Sequence, residues 1–373
     1  LASEAEPKSN NKGLKTSLQK FVENFRTSKQ PNSFSLDAGK ESAVIHGEQV
    51  AMLPQMFVQL YSSNTMELRP FGLLNCGNSC YANAVLQCLA FTRPLTSYFL
   101  QGLHSRTCRK KDWCLICEFE HLMQKGRETN YPLSPVGIIS HVKRIGNHLI
   151  PGRQEDAHDF LRNVVEKMQS IWLEESGFSG SLAEDSTLFG LSFGGYVRSK
   201  IKCLKCSGRS VQCDRLMDIA VEISGDIDTL NEALAQFTIS ETLGGDDKYK
   251  CSRCKSYERA KKKLTVVEAP NILTLVLKRF QSGNSEKLKK FVRFHEILDL
   301  APYMSSLSDE FPIYDLYATV VHSNMMNDSY SGHYISYVKN VKGEWFRMDD
   351  SRVSRVDVET VLSTEAYMLF YAR

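Results

Sequence analysis

The sequence predicts an α+β fold, and three observations predict it. Apolar residues recur at helical spacing up to about residue 175, and short runs rich in β-branched and aromatic residues dominate afterwards. The two kinds of segment do not alternate regularly, which points away from a doubly wound parallel sheet.

With 373 residues, of which 42% are hydrophobic and 24% charged, the chain can bury one elaborate core or two ordinary ones. It begins with Leu1 rather than Met, so it is expected to be part of something longer. A net charge of +3 is too small to argue for nucleic acid or an anionic membrane. The basic clusters from Arg259 to Lys263 and from Lys287 to Lys290 read as solvated faces. No apolar run approaches the roughly 18 residues of a membrane span, and no charged start leads into an apolar secretory core. Eleven cysteines, an odd count with several Cys-x-x-Cys pairs, favour metal and thiol chemistry over disulfides. The expected compartment is therefore reducing, cytoplasmic or nuclear.

Residues 1–65 are rich in Ser, Asn, Lys and Glu, with Pro7 and Pro31, and read as linker. Leu14, Leu18, Phe21, Val22 and Phe25 interrupt it at the spacing of one amphipathic helix. Residues 66–373 read as a globular domain. In "GLLNCGNSCYANAVLQC", Ala82, Val85, Leu86 and Leu89 mark a buried helix that Asn78 or Ser79 can cap. Cys80 falls in its first turn, where unpaired backbone N–H groups and the helix dipole favour the thiolate. In "QEDAHDFLRNVVEKM", Ala157, Phe160, Leu161, Val164, Val165 and Met168 form one apolar face, while His158 and Asp159 read as solvated.

Strands are expected in "FGGYVRSKIKC", "ILTLVLKRF", "YDLYATVVH", "GHYISYVKN" and "AYMLFYAR". "YSGHYISYVKNVKGEWFRMDD" reads as a hairpin turning near Lys342-Gly343, which sets His333 opposite Asp349 to within about two residues. A carboxylate there can fix the imidazole tautomer and stabilise its protonated form.

Cys203, Cys206, Cys251 and Cys254 form two Cys-x-x-Cys knuckles, the donor set of a structural zinc. His104, Cys108, Cys114 and Cys117 could hold a second ion, with His121 competing for the nitrogen position. Cys76, Cys88 and Cys213 are left to packing.

The segments from about Pro70 to Arg373 resemble the ubiquitin-specific protease family of papain-like cysteine peptidases. "GLLNCGNSCYANAVLQ" is similar to its cysteine box, and "YSGHYISYVK" with "EWFRMDDSRV" to its histidine box; "QEDAHDFL", "LKRF" and "AYMLFYAR" follow in order. The likeness leans to a plant branch that carries a separate upstream zinc finger, missing from this chain.

The resemblance implies an α-helical thumb, a β palm and zinc-binding β fingers at roughly residues 188–265. It makes Cys80 the nucleophile, His333 the general base, Asp349 its orienter and Asn75 an oxyanion donor, with Asp350 as a supporting carboxylate. Asp156 would lie near the arginines of the ubiquitin tail, and Gln281 to Lys290 and Ser323 to Gly332 would be gating loops. The implied activity is thiol-dependent hydrolysis of the isopeptide or peptide bond after the C-terminal glycine of ubiquitin, by a monomeric domain acting on ubiquitinated proteins. A catalytically silent ubiquitin-binding scaffold and a peptidase for another ubiquitin-like modifier are the alternatives on the same fold. A zinc-ribbon module binding nucleic acid or protein would leave the cysteine and histidine boxes unexplained.

Overall fold

In the computed structural model, which describes residues 56–63, 67–177, 179–280, 287–305, 312–324 and 332–373, the cysteine segment lies at the centre of the helical half. Helix α1 (Cys80–Ala90) is buried on every side, not only along the face its periodicity marks. It has helices on one flank and the main sheet on the other, so polar positions such as Asn83 and Gln87 are enclosed as well. Around it stand α2 (Arg93–Leu100), α3 (Leu115–Glu128) and α4 (Ala157–Ser176). Edge-to-face rings lock them together, Tyr81 on Phe160 at 5.3 Å and Phe99 on Phe119 at 5.1 Å between centroids.

The apolar face of α4 is buried as its spacing predicts, each large side chain contributing about 1.5–3 kcal/mol relative to exposure. Asp156 caps the helix by accepting the Asp159 N–H at 2.9 Å, and Gly177 ends it at φ 71°.

The strands number β1 (Gly195–Cys203), β2 (Arg209–Leu216), β3 (Ile219–Val221), β4 (Glu241–Leu243), β5 (Tyr249–Cys251), β6 (Ser256–Glu258), β7 (Ala260–Glu268), β8 (Ile272–Leu277), β9 (Ile297–Asp299), β10 (Ile313–Asn324), β11 (Gly332–Lys339), β12 (Trp345–Asp349), β13 (Arg352–Val356) and β14 (Ala366–Ala372). The palm sheet runs β13-β12-β11-β10-β14-β8-β3, with β9 also on β10. Its pairs are antiparallel except β3 with β8. Strands such as β14 are covered on both faces: Met368 and Phe370 join the helical core, while Leu369 and Tyr371 join a second core behind the sheet. That double burial explains why "AYMLFYAR" reads as an unbroken apolar run rather than an alternating one.

The fingers are the separate sheet β2-β1-β7-β4 and the small ribbon β5-β6. A helix interrupts the strand-rich half: α5 (Leu230–Thr238), which opens with a capping box between Thr229 and Glu232.

Several expectations need correction. Residues 56–62 are helical and lie within the expected linker, yet Phe57, Leu60 and Tyr61 are buried in the core and Tyr61 Oη donates to the Arg373 carbonyl at 2.7 Å. The amphipathic segment from Leu14 to Phe25 lies outside the described residues. Cys88 is buried, but Cys213 is exposed on β2. His158 is not solvated; it pairs with Asp218 at 3.3 Å on the flank of α4. Nor is Lys287 a solvated cation: its side chain is 7% exposed and donates to the His322 carbonyl, and the residue bridges antiparallel to Phe280.

Candidate active site

The loop before α1 determines where Cys80 points. Gly77 (φ 87°) and Asn78 (φ 53°) are both left-handed, turning the chain sharply into Ser79, the N-cap. Ser79 does not cap with its side chain as expected; its Oγ instead accepts the Cys76 N–H at 2.8 Å. Cys80 is therefore the first residue of the helix, 3% exposed, with its backbone N–H among the orphan donors of the helix end.

Against it stands His333, second residue of β11, a strand that packs on α1. The β11–β12 register pairs Ser336 with Met348, two residues off the expected hairpin. A two-residue shift preserves the face, so His333 and Asp349 become diagonal neighbours, with Nε2 to Oδ1 at 2.6 Å. His333 is held protonated up to about 9. A hydrogen bond with Cys80 is the largest cause, burial opposes it, and Asp349 adds to it. Burial works against the charge on Asp349 too, but His333 and Arg347 outweigh it and keep this carboxyl below its ordinary range. Arg347, at 2.8 Å from Asp349, was missed from sequence; as a residue two before Asp349 on β12 it shares that face, and this periodicity was the available signal.

Asn75 plays two parts. Its Oδ1 accepts from the Gly77 and Ser79 N–H groups at 3.1 and 3.2 Å, which is the turn role, while Nδ2 donates to Asp350 at 2.9 Å. Nδ2 has a second hydrogen with no acceptor among the described residues. Asp350 also accepts from Asn83 at 2.7 Å and sits at φ 49°, so one carboxylate fastens the cysteine loop and the cysteine helix to the end of the hairpin. Gly72 makes this approach possible, since a Cβ there would strike the Ser351 carbonyl.

Asp156 is both a helix cap and a link to the palm sheet: its second oxygen accepts from Tyr367 Oη of β14 at 2.7 Å. Tyr367, Tyr334, His322 and Phe280 form a chain of ring contacts beside it. Gln154 was not singled out from sequence. Its amide donates to the Gly332 carbonyl and reaches Cys80 Sγ at 3.7 Å, bridging the cysteine helix and the histidine strand. Of the expected gating loops, residues 281–286 and 325–331 lie outside the described residues.

Two clusters could hold metal, their ligand atoms lying within 4.8 Å of one another. In the fingers, Cys203 and Cys254 sulfurs are 3.9 Å apart, and Cys206 and Cys251 3.6 Å. Four thiolates about 2.3 Å from a tetrahedral ion would be roughly 3.8 Å apart, so the donor set fits. The backbone N–H of Cys254, the largest cause, pulls the Cys251 thiol down to about 7.

The thumb cluster is His104, Cys108, Cys114 and Cys117; His121 is exposed and outside it. His104 Nε2 lies 3.2 Å from Cys114 Sγ, and Nδ1 lies 3.5 Å from Glu175, the orienting carboxylate a metal-bound histidine ordinarily has.

A thiol at a helix start, an imidazole held by a carboxylate on the facing sheet, and a side-chain amide beside them define a papain-like cysteine peptidase. The family described as "Ubiquitin carboxyl-terminal hydrolase" matches residues 71–371. Ubiquitin carboxyl-terminal hydrolase 17 of Arabidopsis thaliana is 54% identical over 97% of this chain and 48% of its own length. Ubiquitin C-terminal hydrolase 15 of Oryza sativa subsp. japonica is 48% identical over 85% of this chain and 33% of its own length. Among solved structures, the SAGA Ubp8/Sgf11/Sus1/Sgf73 DUB module bound to ubiquitin aldehyde matches with a TM-score of 0.70 at 26% identity, over 83% of this chain and 70% of that one. The chain belongs to the ubiquitin carboxyl-terminal hydrolase family, and spans about half or less of the length of these curated plant relatives.

Proposed function

We propose that this chain is the catalytic domain of a deubiquitinase, cleaving the isopeptide or peptide bond after the C-terminal glycine of ubiquitin. The observation that carries the reading is Cys80 at the start of α1, the helix against which β11 packs, with His333 of β11 held by Asp349 at 2.6 Å. The thiolate of Cys80 adds to the glycine carbonyl. The backbone N–H of Cys80 and the free N–H of Asn75 receive the oxyanion, without adding charge to the site. His333 gives its proton to the departing amine, then takes one from the water that cleaves the thioester.

Asp156, held by Tyr367, is read as the acidic contact for the basic ubiquitin tail. Both metal clusters are read as structural zinc sites, since each donor set fills a tetrahedral shell; bound zinc would fix the chain ends that carry them. Eleven free cysteines, seven of them in the two metal clusters and Cys80 at the reacting position, support a reducing compartment, cytoplasm or nucleus. Release of a fluorophore from the C-terminal amide of ubiquitin tests the reading. Turnover by the metal-loaded chain is expected; a folded chain that binds ubiquitin without turnover would be the silent scaffold instead.

A further inference from the structure

The fingers sheet sets cations against cations. Lys200 on β1 lies directly opposite Lys263 on β7, and Lys202 lies opposite Lys261 on one side and Arg209 on the other. Strand alternation adds Arg198 to the same face, so six cations share a three-stranded array. Like charges directly opposite on neighbouring strands destabilise a sheet. None of the six has an acidic partner among the described residues.

The surroundings show that this is not a general shortage of carboxylates. Lys262, on the other face of β7, pairs with Glu241 at 3.1 Å. Arg215 on β2 is held at 2.9 Å by both Glu184 and Asp185. Lys262 and Arg215 beside the array are neutralised, and the cations within it are not. The array takes Lys261 and Lys263 from the cluster of Arg259 to Lys263 that the sequence marks as a mere solvated face; the charge there is in register across three strands, which a linear reading cannot show.

We propose that this face of the fingers is a docking surface for an acidic polypeptide, whose carboxylates supply the missing counter-charges. The array measures about 10 Å across the strands and about 13 Å along them. Same-side residues of an extended chain repeat every 6–7 Å or so, the spacing of Lys200 to Lys202 and of Lys261 to Lys263, so carboxylates on an extended segment fall in step with it. The remaining positions are Val211, which is 56% exposed, Cys213 and Thr265. No aromatic ring interleaves the cations for bases to stack on, which favours a polypeptide over single-stranded nucleic acid. The inference does not rest on the hydrolytic reading, because none of these residues belongs to the Cys80 site.

The test is fluorescence anisotropy of the metal-loaded chain with a labelled Glu-rich peptide, alongside a labelled single-stranded RNA of equal charge. The variants are Lys200→Glu and Lys261→Glu, singly and together. Each turns a like-charge pair into an opposite-charge pair, so melting temperature is expected to rise while peptide affinity falls, by at least about tenfold in the double variant, with wild-type binding weakened by salt. No peptide binding by the wild type, undiminished binding by the double variant, or tighter binding of the RNA than of the peptide would overturn the proposal.

Discussion

Replacing His333 with Gln is expected to lower kcat/KM on a C-terminal amide of ubiquitin by roughly ten-thousand-fold or more, with the fold retained. The imidazole lies at the mouth of the site, its side chain 25% exposed, and Gln can still donate to Asp349; folding loses little. Chemistry loses both proton transfers. The same variant carries a pH signature. His333 titrates near 9 in the folded chain against an ordinary value of 6.5, mainly through its hydrogen bond with Cys80. A raised histidine pKa stabilises the fold fully below the unfolded value and loses that contribution as pH climbs through the folded one. The melting-temperature advantage of wild type over the variant should therefore be largest below pH 6.5 and shrink to its minimum above about 9. A constant difference across that window would mean that His333 is not held as an imidazolium.

Removing metal from the fingers should have the second largest effect. Each strand of the β5-β6 ribbon has three residues, the two pair only with one another in their sheet, and Tyr257 in β6 is 63% exposed. A ribbon that short has too little core to persist by itself. Through a bound zinc, Cys251 and Cys254 would tie it to Cys203 at the end of β1 and to Cys206, and a structural zinc in small finger peptides contributes about 10–16 kcal/mol of binding free energy at neutral pH. A strong chelator, or Cys251→Ser, is expected to bring backbone amides 249–258 to unprotected hydrogen exchange while the palm strands β10 and β14 stay protected. Retained protection in protein shown by elemental analysis to be metal-free would remove the metal from the account.

Much of this site can be read in the chain because its parts are local. The turn and helix start around Cys80 occupy a few consecutive residues, and a tight hairpin brings His333 near Asp349 whatever the fine register, since an even shift keeps both on one face. Cysteine spacing marks both metal clusters for the same reason. What sequence could not separate was geometry set by distant chain. His104 and His121 stand on either side of the thumb cysteines, and only the packing of α3 against α4 decides that His104 turns inward toward Glu175. Asn75 and Asp156 each admitted a turn or cap reading and a functional one; the structure shows the turn and cap roles and adds a bond from each residue to a distant element, Asn75 to Asp350 and Asp156 to Tyr367. Lys287 and Cys213 went wrong because burial of a cation or exposure of a thiol depends on what lies above the segment, which composition does not encode.

Covalent capture tests the central claim most directly: the chain mixed with ubiquitin bearing a C-terminal thiol-reactive group, wild type beside Cys80→Ala, followed by intact mass and peptide mapping. The account predicts a single adduct on Cys80 in the wild type and none in the variant. An adduct on another cysteine, or equal labelling of both proteins, would contradict it.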